Sequence, residues 1–389
     1  MNDPLEFVTS GLADLDAASL RRRVRSLSSP PDPEVTLDGR RVILLASNNY
    51  LGLANHPRVV AAAKQAADEW GVGAGSARLI TGSVELHDEL ERRLAGLKGT
   101  ADAVLFSSGY LANLGTVSAL VGPGDAVFSD ELNHASIIDG CRLSRADIHV
   151  YPHCDADQLE KLIADWRRDH GAARVLVATD SVFSMDGDLA PLPDLADVCE
   201  TYGAMLMVDE AHATGVIGPE GRGAVAHFRM EERVPIIMGT LSKSLGASGG
   251  FIAGSKALCD FLRNRARAFI FDTALPPPVV GAALAALDIL TLEPGRPERV
   301  RERARRFHDE LRLLGFDALR PDAAVVPVMV GDARAALDLA ARLLELGVLA
   351  PAIRPPTVPE GTSRLRCTLM ASHTDEHLRR AVDAFAALA

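Results

Sequence analysis

Short apolar runs alternate with amphipathic stretches of helical length through the middle of the chain. The runs lie at 103–106, 126–129, 149–151, 175–179, 205–208, 236–238 and 250–253. They have strand length and little polar alternation, the pattern of strands buried on both faces. Between several of them lie helix-length stretches at 109–120, 133–144, 155–169 and 193–202. This rhythm predicts an α/β fold with a mainly parallel sheet covered by helices on both sides. Ligands bind such sheets beyond the carboxyl ends of the strands. Chemistry is therefore expected in the loops that follow the runs.

The flanks read differently. Residues 1–48 predict an amphipathic helix, a Pro-rich link at 29–33 and a short hairpin around Asp38-Gly39. The large domain is expected over 49–276. From 277 the texture becomes that of a smaller α+β domain, 277–389. It has helices at 277–292, 297–314 and 332–346, strands at 325–330, 348–353 and 364–369, and a closing helix.

Composition narrows the class. With 389 residues and 48% hydrophobic content the chain can build a sizeable core. A net charge of −11 argues against a nucleic-acid binder. The five cysteines are scattered with no Cys-x-x-Cys pair, so neither a metal site nor a disulfide framework is expected, and a reducing compartment fits. The N-terminus lacks a basic region followed by an apolar one, so no secretory signal is expected. The apolar stretch 276–292 is too short and too interrupted to span a bilayer. A cytoplasmic protein with no membrane or nucleic-acid partner is the expectation.

The most informative residue is Lys243, one of only five lysines. It stands in Gly239-Thr240-Leu241-Ser242-Lys243-Ser244-Leu245-Gly246, with no charged neighbour in sequence. Such a lysine loses its proton more readily and can form a Schiff base with a carbonyl. Upstream, the run Met205-Leu206-Met207-Val208 ends in Asp209-Glu210-Ala211-His212. A carboxylate at that strand end can pair with a cofactor's pyridinium nitrogen. Together the two motifs point to pyridoxal 5′-phosphate (PLP). A Ser-Lys-Ser triplet alone would read as a solvated loop; the Asp-x-x-His partner and Thr240 turn the balance.

Competing motifs fall away. Asp209–His212 also matches a helicase box, but the chain lacks a phosphate loop with Gly-Lys followed by Ser or Thr. Gly71-Val72-Gly73-Ala74-Gly75-Ser76 lacks the third glycine of a dinucleotide fingerprint and no strand precedes it. Ser107-Ser108-Gly109-Tyr110 follows a strand and opens a helix, a place where backbone N–H groups favour an anion such as the cofactor phosphate. His134 could stack on a cofactor ring or be structural, and Ser184 could serve the cofactor or be an ordinary turn residue. Their order at successive strand ends gives them weight.

These motifs, with Ser47-Asn48-Asn49-Tyr50-Leu51-Gly52-Leu53, Asn133–Ser136 and Val182–Gly187, resemble the fold-type I PLP enzymes of the α-oxoamine synthase group. The resemblance runs from about 20 to 380. It implies decarboxylative condensation of an amino acid with an acyl thioester. Lys243 would hold the cofactor and act as general base, Asp209 would face the pyridine nitrogen, and His134 would stack on the ring. His212 and Ser184 would orient the ring oxygen, and Thr240, Gly109 and Tyr110 would bind phosphate. Thr273 would come from a neighbouring subunit, making a homodimer the working unit. Arg366 would grip the amino-acid carboxylate, with Asn48 and His134 also beside substrate.

Within the group, Ile353–Pro359 and Arg21 in Leu20-Arg21-Arg22-Arg23 resemble the biotin-pathway branch. That branch implies L-alanine and a pimeloyl thioester, carried by CoA or acyl carrier protein. Arg21 would meet the acyl carboxylate, with Arg354 and Thr357 in the same pocket. Other members, using glycine with acetyl-CoA or succinyl-CoA, or serine with a long acyl chain, are the alternatives. An idle binding protein on this fold is countered by the intact Lys243 and Asp209. Asn49 and Ala213 depart from the group's usual Asp and Gly.

Overall fold

The computed structural model describes residues 4–22 and 24–389. Arg23, and Met1 to Asp3 of the expected N-terminus, lie outside the described residues. Helix α1 (Glu6–Ala17) buries none of its side chains within the chain. A hairpin follows, β1 (Glu34–Leu37) and β2 (Arg40–Leu44). Asp38 and Gly39 both take positive φ, the geometry of a two-residue hairpin turn. Helices α2 (Pro57–Trp70) and α3 (Glu85–Lys98) then lead into the main sheet.

The central sheet has seven strands. They are β3 (Asp102–Phe106), β4 (Ala126–Asp130), β5 (Asp147–Tyr151), β6 (Val175–Asp180), β7 (Met205–Asp209), β8 (Ile236–Thr240) and β9 (Gly250–Gly254). Their spatial order is β3-β9-β8-β7-β6-β4-β5. β9 alone runs against the others, pairing antiparallel with both β3 and β8. Every residue of β4, β6, β8 and β9 is buried, which is why these runs show no polar alternation. The crossover helices are α4 (Gly109–Leu120), α5 (Ala135–Ser144), α6 (Ala156–His170) and α7 (Leu192–Tyr202). Ser108 and Asp155 cap α4 and α6 by accepting first-turn N–H groups.

The C-terminal part carries a second sheet, β10 (Val325–Gly331), β13 (Ser363–Thr368) and β12 (Ala352–Ile353), in that order. The single strand expected at 348–353 is two pieces. β11 (Val348–Leu349) pairs parallel with β2, whereas β12 pairs antiparallel with β13. Pro351 separates them, a residue that cannot donate to a ladder. The apolar helix Pro277–Leu292 is buried at positions all round its axis, the signature of a core helix. No single helix among the described residues is long and apolar enough to cross a membrane. Asn49, where the group usually has Asp, uses its amide donor on Pro31 O at 3.3 Å, a bond a carboxylate could not make.

Candidate active site

Strands β3, β4, β6, β7 and β8 end at one edge of the sheet, and the residues singled out from sequence follow those ends. Asp209, the last residue of β7, is 3% exposed. Its Oδ2 accepts from Asn113 Nδ2 at 2.7 Å and its Oδ1 from the Ala211 N–H at 2.8 Å. Hydrogen bonds to the charged form favour it. Asp180 ends the neighbouring strand in register with Asp209. Burial first, then the charge of Asp209, pushes the Asp180 carboxyl well above the usual range.

Lys243 reaches this edge from the turn after β8. Its Nζ lies 2.6 Å from His212 Nε2. Burial lowers the amine from its ordinary 10.5 to about 8, with the charges of Asp209 and Asp180 opposing and that of Arg366 assisting. His212 is 5% exposed, and burial followed by the nearby Lys243 charge keeps its imidazole well below the usual range. Its Nδ1 is 2.6 Å from the hydroxyl of fully buried Tyr50. A neutral imidazole has one donor and one acceptor. When the Lys243 ammonium donates to Nε2, Nδ1–H donates to Tyr50. When the free amine accepts from Nε2–H, the Tyr50 hydroxyl donates to Nδ1.

The network continues into the C-terminal sheet. Arg366 on β13 donates to Tyr50 Oη at 3.3 Å, to Asn48 Oδ1 at 3.1 Å and to the Ser184 carbonyl. Arg366, Asn48, Tyr50, His212 and Lys243 thus form one chain of hydrogen bonds. The resemblance had assigned roles to all of these except Tyr50. His134 caps α5 with its side chain, and its backbone N–H donates to Asp180 Oδ2 at 2.7 Å. Burial lowers its imidazole, and it feels the charges of both Asp209 and Lys243.

An anion cradle closes the site on the other side. Thr240 Oγ1 is 2.8 Å from Ser242 Oγ and from the Gly249 carbonyl. Helix α4 starts at Gly109, where a Cβ would stand 2.8 Å from Met238 Cε and 3.4 Å from the Thr240 side chain. Glycine lets the helix N-terminus sit against Thr240 without displacing the end of the Met238 side chain. Its first-turn N–H groups have no intrahelical partner and favour an anion. Tyr110 is half-exposed, with its hydroxyl on Asp139. The set of a depressed lysine, a buried carboxylate held by two hydrogen bonds and an anion cradle fits pyridoxal phosphate.

Other residues fall elsewhere. Thr273 is exposed and bridges Ala77. Arg21 and Thr357 were expected in one pocket, but Arg21 pairs with Asp16 at the surface. Arg22 instead reaches Thr357 Oγ1, at 3.4 Å. The Arg354 guanidinium donates to the Ser19 carbonyl, and burial followed by the charge of Arg22 lowers its pKa. Arg21 N–H still bonds back to Leu15 O, so its side chain lies along the end of α1 toward Asp16. Arg263, in a basic stretch with Arg265 and Arg267, is engaged by Glu91, Asp102 and Asp260. Sequence reasoning missed Asn113 and Asp180. Asn113 sits in an apolar helix with no local signal, whereas Asp180 could have been found as a second carboxylate at a strand end.

A family model described as aminotransferase class I and II matches residues 40–385. The 8-amino-7-oxononanoate synthase of Geobacter sulfurreducens is 50% identical over 381 residues, 97% of each chain. A solved serine palmitoyltransferase with PLP as internal aldimine superposes with a TM-score of 0.93 at 34% identity, covering 99% of this chain and 98% of that one. The 8-amino-7-oxononanoate synthase of Francisella tularensis superposes at 0.76 with 28% identity, covering 89% and 97%.

Proposed function

The chain belongs to the 8-amino-7-oxononanoate synthase family, on the aminotransferase class I and II fold, and on that premise we propose how its residues carry the reaction. It is a PLP-dependent acyltransferase of fold type I. L-alanine condenses with a pimeloyl thioester to give 8-amino-7-oxononanoate, carbon dioxide and the free thiol, in biotin biosynthesis. A bond forms between alanine Cα and the thioester carbonyl carbon, the thiol leaves, and the alanine carboxylate departs as carbon dioxide. The tighter overlay on serine palmitoyltransferase reflects a scaffold shared by the group, while the 50% identity favours the alanine reading.

Pyridoxal phosphate, when bound, supplies an electron sink for the bond broken at the amino acid's Cα. Lys243 would hold it, and its amine would serve as the general base for the Cα proton. Asp209, fixed by Asn113 and the Ala211 N–H, would hold a proton on the pyridine nitrogen. His134 would lie over the ring, and His212 and Ser184 would orient its oxygen. Gly109 and Tyr110 offer backbone N–H groups to the phosphate, and Thr240 its hydroxyl. Arg366 forks onto the alanine carboxylate, with Asn48 beside it. Thr273 of a second subunit would complete the phosphate site in a homodimer. A cytoplasmic location fits the five free thiols.

One observation carries the reading: the buried Lys243 amine stands 2.6 Å from His212 Nε2, three residues along the chain from Asp209 at the end of β7. The test is a screen of amino acids against acyl thioesters for thiol release. Alanine with a pimeloyl thioester, on CoA or acyl carrier protein, should turn over fastest. Faster turnover of glycine with acetyl-CoA would overturn the assignment.

A further inference from the structure

His153, just past the end of β5, has both ring nitrogens on carboxylates. Nδ1 is 3.1 Å from Asp130 Oδ1 and Nε2 is 2.8 Å from Asp188 Oδ2. An imidazole donates from both nitrogens only as the cation. The two carboxylates come from different loops. Asp130 ends β4, is buried, and also accepts the N–H groups of Leu132 at 2.9 Å and Cys154 at 2.8 Å. It thereby shapes the turn that presents His134. Asp188 belongs to the loop that presents Ser184, which is closed by Gly187 N–H on Phe183 O and Phe183 N–H on Asp188 O. The His153 ring stands edge-on to Phe183 in that loop, centroids 4.3 Å apart at 87°.

We propose that His153, held as an imidazolium between Asp130 and Asp188, is a positioning residue that fixes the spacing of the His134 turn and the Ser184 loop. These segments flank the cofactor ring in the reading given above, on which this inference rests. His153 has no bond to either presented residue, so it acts through the two carboxylates. Burial alone would lower its pKa, but the bonds to Asp130 and Asp188 prevail and push it up to about 12. Against it also lie the Cys154 thiol and Glu131, whose carboxylate accepts the His153 backbone N–H, and it shares an open cleft with the carboxylates of Asp155, Asp157, Glu160, Asp194 and Asp197, all of which favour the cation. Asp130, His153 and Cys154 are close enough together to suggest a metal. However, Cys154 Sγ lies 3.7 Å from Nδ1 and 3.6 Å from Nε2. That near-equal spacing puts sulfur beside the ring as a whole, not along the lone pair of one nitrogen, where a shared ion would sit.

The experiment has two arms on the full-length holoprotein. Nitrogen-15 NMR of the histidine rings should show both His153 nitrogens protonated from pH 6 to 9. In the second arm, His153→Asn and Asp188→Asn should each weaken pyridoxal phosphate binding by about tenfold or more and shift the bound cofactor's absorption band. The double variant should lose little beyond either single one, because both cut the same link. Thermal unfolding of the cofactor-free variants separates this from a general loss of structure. A neutral His153 ring at pH 8, one equivalent of tightly bound zinc, or lower stability with unchanged cofactor affinity and spectrum would each overturn the proposal. Failure of the alanine and pimeloyl assignment would leave these readouts intact, so the two ideas fail separately.

Discussion

Lys243 Nζ and His212 Nε2 stand 2.6 Å apart in a site where burial has lowered the lysine to about 8. The neutral amine is the nucleophile. Capture of pyridoxal phosphate by cofactor-free protein should therefore accelerate as pH rises and level off above about 8, as followed by stopped-flow absorbance. An exposed lysine would give a midpoint near 10.5 instead. Borohydride reduction of the loaded enzyme should fix the cofactor on Lys243, and a label on Lys256 would overturn its assignment.

Asp209→Asn keeps a side-chain acceptor for the Ala211 N–H but removes the charge that holds a proton on the pyridine nitrogen. Steady-state kinetics should show a loss of about a hundredfold or more in kcat, the scale of removing a preorganised electrostatic partner. The cofactor should still attach to Lys243. A loss of only a few-fold would mean that Asp209 faces something else.

The two neighbouring arginines can be told apart. A carboxylate leaving water at the far end of the acyl chain needs a cationic partner. Arg21 spends its charge on Asp16, whereas Arg22 approaches Thr357. Arg22→Ala should erode the preference for pimeloyl over uncharged acyl thioesters by about tenfold, the scale of a charged hydrogen bond. Arg21→Ala should change it less. The reverse ranking in competition assays would return the role to Arg21.

Lys98 is a different kind of lysine. It is 2% exposed and bonded to Glu210, to Thr214 Oγ1 at 2.7 Å and to the Arg222 carbonyl at 2.7 Å. Lys98→Met leaves the Glu210 charge buried without its cation, and denaturant unfolding should show a loss of about 3–5 kcal/mol. Adding Glu210→Gln should recover part of that loss. Full stability in Lys98→Met would show that the pair does not hold the turn after β7.

Much of the fold was legible because buried parallel strands are written as uninterrupted apolar runs. The helices at 109–120 and 277–292 appear at those bounds. The split of 348–353 was not legible, since the two halves differ in partner and not in pattern. The site was legible where a motif sits at a strand end, as at Asp209 and Lys243. Asn113 was hidden because its partner is 96 residues away and its own surroundings are plain helix. The Arg22–Thr357 contact was hidden because a run of arginines does not say which one the end of α1 leaves facing Thr357.

β13 places Arg364 and Arg366 on one face, and both hold the loop at 184–186: Arg364 on Asp186, Arg366 on the Ser184 carbonyl. Arg366 also reaches back to Asn48 and Tyr50. The C-terminal part is therefore no interchangeable cassette. A chimera that imported this part from a relative to change the accepted amino acid would break contacts written into two distant stretches of the host chain. Retargeting would have to rewrite residues 48–50, 184–186 and 364–366 as a set.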